Sequence, residues 1–360
     1  MCAVQRQECK GQQRPLGVSV AICTYNGESR LPATLSHLKQ QRTEKDIPWE
    51  VLLIDNASTD NSAELARQYW RNDGPAPLRI LREARRGLSF ARSRAFEEAR
   101  HEIVTFVDDD NWVAPGWIST VSERISEDAS LGALCSSNSA VADVPFPEWF
   151  LRWAHYYAAH ASCESSTLEN WLLIGAGMTI RTQCWQELRR DGFQPQLTDR
   201  VGARLTTCGD LELGCAIQLA GWKIRVEPRL KLRHYIPPAR LDWNYLRRLA
   251  RATGEAMALL DCYFVFPTPE GVKRHLRHRW WVRLIWESYQ TARQYPLGRI
   301  LKSRLRTMEG EDDIVFLEQQ IGRLIGFLRL RSQYTRLRRE IARSAWCRTT
   351  LRPGTEKRYS

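Results

Sequence analysis

The chain has no CxxC pair and no Cys/His spacing of the kind that holds structural zinc. Its ten cysteines in 360 residues are too thinly spread for a disulfide scaffold. Cys23 and Cys135 sit in apolar runs, so the thiols read as reduced structural residues of a cytosolic protein. No run approaches the ~20 apolar residues of a spanning helix. The first fifteen residues, MCAVQRQECKGQQRP, are polar and lack the apolar stretch of a signal peptide. A role at a membrane would therefore be peripheral, on its cytoplasmic face. No GxGxxG follows the first strand-like segment, where CTYNGESR stands instead, and no GxxxxGK[ST] occurs. Phosphate binding by a glycine loop is thus unsupported, which moves the weight to a metal. No internal repeat or low-complexity tract is evident.

What is present is ordinary in amount but uneven in place. Hydrophobic residues make up 43% and charged residues 26%, enough for a sizeable core over about two to three domains. The net charge of +12 is not spread evenly. Residues 1–270 carry 32 Lys+Arg against 33 Asp+Glu, whereas residues 271–360 carry 21 against 8. A near-neutral body is therefore followed by a basic region suited to an anionic membrane surface or a nucleic acid. Nucleic acid is disfavoured, since no helix-turn-helix, RRM or zinc pattern accompanies the charge.

From Leu16 onward strand-like and helix-like patterns alternate. GVSVAICT, WEVLLID, PLRILRE and EIVTFVD read as strands. Between them, SRLPATLSHLKQQ, STDNSAELARQYW and LSFARSRAFEEAR read as helices. Such a series predicts a doubly wound, mostly parallel α/β sheet, whose ligands bind beyond the carboxyl ends of the strands. Thr24-Tyr25-Asn26, Asp55-Asn56 and the run Asp108-Asp109-Asp110 all fall at such ends and are expected to share one crevice. WLLIGAGMTIRTQCWQEL reads as a strand, a small-residue turn and a further strand or helix. GDLELGCAIQLAGWKIRV reads as a helix from Asp210 to about Ala220, a stop at Gly221 and a strand. Past HYIPPARLDW the chain reads as helical, which puts a boundary near Arg240.

Three adjacent carboxylates repel one another and raise each other's pKa unless a cation compensates them. They are either a solvated turn or a divalent-metal site. The segments VSVAICTYNGESRLPATL, LLIDNASTDNS, RRGLSFARSRA, FVDDDNWVAPGW, GAGMTIRT and CGDLELGCAIQLAGW decide for the metal. Together and in this order, over roughly residues 16–240, they resemble the family 2 glycosyltransferases of the GT-A fold. The expected organisation is a polar tail over 1–15, a GT-A domain over 16–240 and a basic helical region over 241–360.

The resemblance implies an inverting, metal-dependent transfer of a sugar from a nucleotide-diphosphate donor to a hydroxyl acceptor. The acceptor would be a glycan, lipid-linked sugar or glycolipid of surface polysaccharide or glycan biosynthesis. It implies Mn²⁺ or Mg²⁺ at a DxD-type site ended by Asp108 and Asp110, with Asp110 the favoured direct ligand and His234 an additional one. Asp109 or Asp108 would instead face the ribose or the sugar. Asp55 would hydrogen-bond the nucleotide base, Tyr25 would pack on that base beside Thr24 and Asn26, and an arginine among Arg85, Arg86 and Arg92 would meet the base or diphosphate. Asp210 is implied as the general base, with Glu212 as the fallback. The family often has Glu-Asp where this chain has Gly209-Asp210. The QxxRW motif of processive synthases is absent, which suggests a single-addition hexosyltransferase. Two other readings stay open: a degenerate GT-A module acting as a membrane-associated scaffold, and a nucleotidyltransferase.

VKRHLRHRWWVRLIWESYQ places Val272, Leu276, Trp280 and Leu284 at helical spacing, with Trp281, Ile285 and Trp286 widening the face. That is the composition of an interfacial helix, or of a helix packed on the core with a solvated basic face. Leu317, Ile321, Leu324 and Leu328 form a short heptad-like seam, for a partner subunit in a homo-oligomer or for the preceding helices. VPFPEWFLRWAHYYAAH, within residues 140–170, reads as part of an acceptor site, as a lid or as a packed helix.

Overall fold

The computed structural model describes residues 15–43, 47–71, 73–159, 173–197, 207–264, 279–295 and 308–350. The strands β1 (Val18–Thr24) and β2 (Trp49–Asp55) are buried along their whole length. Their side chains alternate between two cores. Val18, Val20, Ile22, Val51 and Leu53 join one apolar cluster, and Ala21, Cys23, Leu52 and Ile54 join the other. A period of two with both faces covered is the reason these strands read as continuous apolar runs.

With β3 (Leu78–Arg82) and β4 (Ile103–Phe106), β1 and β2 form a parallel half-sheet. The other half is mixed. It contains β5 (Asn111–Val113), β6 (Leu131–Val141), β7 (Thr179–Arg181) and β8 (Lys223–Tyr235), and the full order is β3-β2-β1-β4-β7-β6-β8-β5. β7 runs antiparallel to β4 and β6, and β5 antiparallel to β8, while β6 and β8 are parallel. The expected α/β class stands, and the sheet is mostly parallel with these antiparallel insertions.

Helix α1 (Leu31–Lys39) buries Leu31, Leu35 and Leu38, and proline near its first turn costs no hydrogen bond there. Helices α2 (Ser62–Trp70) and α4 (Trp117–Glu127) cover the same face. The opposite face carries α3 (Leu88–Glu98), α6 (Thr182–Arg190) and α7 (Gly209–Leu219). Gly221 stops the turn after α7 in the left-handed region, at φ 90°, as its position predicts. Leu173 and Ile174 are not in a strand, contrary to expectation; Trp171 and Leu172 lie outside the described residues.

Buried Glu50 ties this frame together. Its carboxylate accepts from the Ser19 hydroxyl (2.8 Å), the Arg100 N–H (3.0 Å) and Arg79 Nη1 (3.1 Å). Burial acts to raise its pKa, but the Arg100 N–H, Ser19 and Arg79 outweigh it and hold the carboxyl below its ordinary value. A depressed folded-state pKa stabilises the fold above the unfolded value of about 4.3, and this is lost as pH falls through the folded value. Glu50→Gln is therefore expected to cost about 1–3 kcal/mol at neutral pH and to flatten the acid limb of the stability curve. Denaturant melts across that range check it, and an unchanged acid limb would remove Glu50 from the account.

Beyond residue 240 the described residues are mainly helical, but the packing does not stop there. Helix α8 (Trp243–Leu260) lies against α10 (Asp312–Leu330), with α9 (Trp280–Gln294) and α11 (Tyr334–Arg343) alongside. Trp149, Phe150, Trp153 and Tyr157 pack with Trp243, Leu246, Ile314 and Val315 in a third cluster. Trp149, Phe150, Trp153 and Tyr157 of the aromatic stretch are thus core, while Leu151 and Arg152 on the other side of the helix α5 (Phe150–Trp153) are exposed; residues 160–170 lie outside the described residues.

The seam of α10 differs from the leucine register. Of the expected seam Leu317 is buried, Ile321 and Leu324 are half-buried and Leu328 is exposed, while Val315, Glu318, Gly322 and Gly326 are buried as well. A Cβ on Gly322 would stand 2.0 Å from the Arg251 carbonyl oxygen, and one on Gly254 would stand 1.9 Å from that of Gln319. The helices meet backbone to backbone, which only glycine permits. In an open helix Gly→Ala would gain about 1 kcal/mol; here the sign reverses. Gly322→Ala is expected to cost about 1–3 kcal/mol or more, read as a lower denaturant midpoint. A midpoint equal to or above wild type would show that the two helices can separate freely.

Candidate active site

The carboxyl ends of β1, β2 and β4 open on one crevice. Thr24 and Asp55 face each other across the β1–β2 ladder, and the Asn56 N–H donates to the Thr24 carbonyl (2.8 Å). Asp55 is buried; its Oδ1 accepts from the Ser58 N–H (2.9 Å), and no described residue hydrogen-bonds to Oδ2. Tyr25 is 40% exposed at the rim, with the Arg86 guanidinium 5.4 Å from its ring centre. Arg85 is drawn away, paired through two nitrogens with Glu83 and lying over Phe90. Asn26 adopts φ 49°, a conformation asparagine tolerates, and its side-chain oxygen accepts from the Thr59 N–H (2.8 Å). It braces the loop after β1 against the loop after β2.

The three aspartates have three environments. Asp109 is clamped: Arg30 Nε and Nη2 bind its two oxygens at 2.9 Å, and the Thr24 hydroxyl donates to Oδ2 at 2.6 Å. A Cβ on Gly27 would stand 2.5 Å from this carboxylate, so the loop needs a glycine there. Asp108 has no hydrogen bond or ion pair to its carboxylate among the described residues. Burial pushes it up to about 6; Arg92 and His234 oppose that shift, and the Asp110 and Asp109 charges add to it. For Asp110 burial is outweighed by His234, Arg240 and Arg30, which hold its carboxyl well below the ordinary range.

His234 lies on β8 directly opposite Asn111 of β5. Its Nδ1 is 2.8 Å from the Tyr157 carbonyl oxygen, which makes Nδ1 the donor. Its Nε2 is then turned to Asp110 Oδ1 at 3.4 Å. An imidazole lone pair and a carboxylate oxygen facing each other require a proton or a cation between them. A carbonyl behind the distal nitrogen is also the support that metal-bound histidines use. The donor set of one carboxylate and one imidazole, with Asp108 beside them, fits a divalent ion completed by substrate oxygens. Among the described residues no group of three or more His, Cys, Asp or Glu side chains forms a cage by itself.

Asp210 opens α7 at the far wall. Its Oδ2 accepts from the Gly175 N–H (2.6 Å) and its Oδ1 from the Leu211 N–H (2.9 Å). A Cβ on Gly175 would stand 2.8 Å from Arg92 Nη2 and 2.9 Å from Asp210 Oδ2, so Arg92 and Asp210 converge on that glycine. Glu212 is removed from any such role. It is fully buried and accepts from the Gln196 and Leu197 N–H groups and the Tyr263 hydroxyl. The structure thus brings Thr24, Tyr25, Asn26, Asp55, Arg92, Asp108, Asp109, Asp110, Asp210 and His234 around the strand ends. Sequence reasoning missed Arg30, which clamps Asp109, and Arg240, whose Nη1 is 3.4 Å from Asp110 Oδ2. Arg30 stands in the segment after the first strand and Arg240 in none of the segments that carry the resemblance; only the folded loops bring them there.

A mixed sheet with clustered carboxylates at the ends of its parallel strands defines a GT-A fold. Residues 19–193 match the family model described as Glycosyl transferase family 2, and this part of the chain belongs to that family. Over 124 residues the chain is 37% identical to the uncharacterized glycosyltransferase YibD of Escherichia coli (strain K12), 34% of each chain. Over 110 residues it is 32% identical to the undecaprenyl-phosphate 4-deoxy-4-formamido-L-arabinose transferase of Pseudomonas aeruginosa, 31% of this chain and 32% of that one. These matches span about a third of the curated relatives' length. The mannosyltransferase PcManGT of Pyrobaculum calidifontis, solved with GDP-Man and Mn²⁺, shares the fold at a TM-score of 0.51 and 18% identity. That comparison covers 89% of this chain and 88% of that one.

Proposed function

We propose that the protein is a metal-dependent, inverting glycosyltransferase that moves one hexose from a nucleoside-diphosphate donor to an acceptor hydroxyl. The acceptor class is a glycan, a lipid-linked sugar or a glycolipid in the assembly of surface polysaccharide. The observation that carries this reading is the Asp110–His234 pair, a carboxylate and an imidazole 3.4 Å apart beside Asp108, whose carboxylate has no partner among the described residues. The family match over 19–193 supports it, and PcManGT, which shares the fold, was solved with a nucleotide-sugar donor and Mn²⁺.

Asp110 and His234 would hold the cation, with Asp108 completing the site; when bound, it would neutralise charge on the leaving diphosphate. Asp55 Oδ2 is open to accept from the nucleotide base, with Tyr25 and Arg86 along its face. Arg92 offers fixed donors to the diphosphate. Asp109 is reassigned from a ligand-facing part to the support of the turn, because Arg30 and Thr24 occupy both its oxygens. Asp210 is the base. As the acceptor oxygen bonds to the anomeric carbon, its proton passes to the Asp210 carboxylate and the carbon–diphosphate bond breaks on the opposite side. One displacement inverts the centre. The Gly175 and Leu211 N–H groups hold Asp210 in orientation.

A thermal-shift panel of nucleoside diphosphates and nucleotide sugars, with and without Mn²⁺ or Mg²⁺, tests the reading. One nucleotide class is expected to raise the melting temperature only with metal, since binding to the native state stabilises by mass action. No shift in any combination would overturn the donor site and leave the carboxylates as a buried structural turn.

A further inference from the structure

The C-terminal helices carry a surface that the transfer chemistry does not use. Helix α9 buries Val282, Arg283 and Glu287 against its neighbours. Glu287, the only carboxylate of that helix, is turned inward, paired with Arg283 at 3.0 Å and Arg323 at 3.1 Å. Its outward side shows Trp281 at 41% exposure, Ile285 at 60%, Trp286 at 38% and Tyr289 at 55%. Trp281, Ile285 and Tyr289 repeat every four residues and so share one face, which Trp286 widens. Four large apolar side chains side by side on the surface of one helix are a patch, not scattered exposure. Of the expected stripe Val272, Leu276, Trp280 and Leu284, the first two lie outside the described residues and Trp280 and Leu284 pack against the core, so the exposed face is the one that was expected to widen it.

This patch adjoins a cationic cleft. Arg279, next to the start of α9, lines the cleft together with Arg336, Arg339 and Arg343 of α11, against one acid, Glu340. The three α11 arginines recur at i, i+3 and i+7 and are exposed. The excess of basic residues is confined to residues 271–360, with 21 Lys+Arg against 8 Asp+Glu. A protein partner with a purely acidic face would not cover the tryptophans, and a purely apolar one would strand the arginines. A bilayer bearing anionic headgroups meets both. Trp and Tyr favour the headgroup boundary, and the arginines are attracted by the surface potential.

We infer that α9 and the adjoining arginine cleft dock the protein on an anionic lipid surface, with Trp281, Ile285, Trp286 and Tyr289 entering the interface. Such docking is independent of donor binding and is tested without turnover. The full chain would be floated with phosphatidylcholine vesicles lacking or containing phosphatidylglycerol, at low and high salt. Wild type is expected to float only with phosphatidylglycerol and to be released by salt. Ile285→Glu is expected to lower the partition constant about tenfold or more, with an unchanged melting temperature. Arg336→Ala/Arg339→Ala is expected to weaken binding and reduce its salt dependence. Wild type that never floats overturns the inference, as does Ile285→Glu floating like wild type. So does light scattering that shows a dimer broken by Ile285→Glu, because the patch would then face a second copy. Equal retention of wild type and Ile285→Glu on a single-stranded oligonucleotide, with no vesicle binding, would assign the arginines to nucleic acid instead.

Discussion

Asp110→Ala is expected to abolish the metal-dependent stabilisation by nucleotide and to lower the transfer rate by about 10³-fold or more. The reason is local. Asp110 faces His234 Nε2 through Oδ1 and Arg240 through Oδ2. Without the carboxylate, an imidazole and a guanidinium face the site and Asp108 alone is left to balance a divalent ion. The same loss changes the apo protein. Asp110's depressed pKa means that its charge stabilises the fold above its unfolded value and ceases to do so as pH falls through the lower folded value. The variant is therefore expected to melt lower than wild type at neutral pH, with the gap closing in acid. Asp109→Ala separates the two parts. It removes the Arg30 clamp and is expected to cost stability while keeping a metal-dependent nucleotide shift. If Asp110→Ala keeps that shift at full size, the proposed cation site is wrong even though the fold is right.

Asp210→Asn is expected to lower kcat by about 10²–10⁴-fold while leaving donor binding and melting temperature near wild type. An amide keeps the size of the carboxylate and can still accept from one of the two N–H groups that Asp210 serves, those of Gly175 and Leu211. It cannot take the acceptor's proton. The KM-against-kcat split distinguishes chemistry from scaffolding: loss confined to kcat marks a group acting in the transition state. A purely structural Asp210 would instead show a lower melting temperature with kcat changed only a few-fold. Glu212 cannot take over as the base, because its carboxylate is buried and held by the Gln196 and Leu197 N–H groups and the Tyr263 hydroxyl.

Much of the frame was legible because the signals are local. β1 and β2 are continuous apolar runs covered on both faces, and a period of two with no polar side is written directly into the residues. The leucines of α1 and the glycine stop after α7 are equally local. The α10 seam, which packs on the preceding helix α8, was read only in part for a physical reason. Leucine spacing reports where large apolar groups recur, but the tightest contact uses Gly322 and Gly326, which leave no hydrophobic signal and act only through the approach of α8. The aromatic stretch before residue 160 was open between lid, acceptor wall and core for a similar reason. Trp149, Phe150 and Trp153 are composition until α8 and α10 arrive to cover them.

The sequence by itself determined that acidic and polar groups would gather at the carboxyl ends of parallel strands, since strand order and motif position are properties of the chain. Only the tertiary structure decided how Asp108, Asp109 and Asp110 divide their parts. A carboxylate's behaviour depends on what stands within a few ångströms of it, and those neighbours come from distant segments. Arg30 closes on Asp109, whereas His234 and Arg240, from β8 and the turn after it, close on Asp110. Asp108 is left without a partner among the described residues. Three identical side chains in a row thus acquire three different sets of contacts through long-range packing alone.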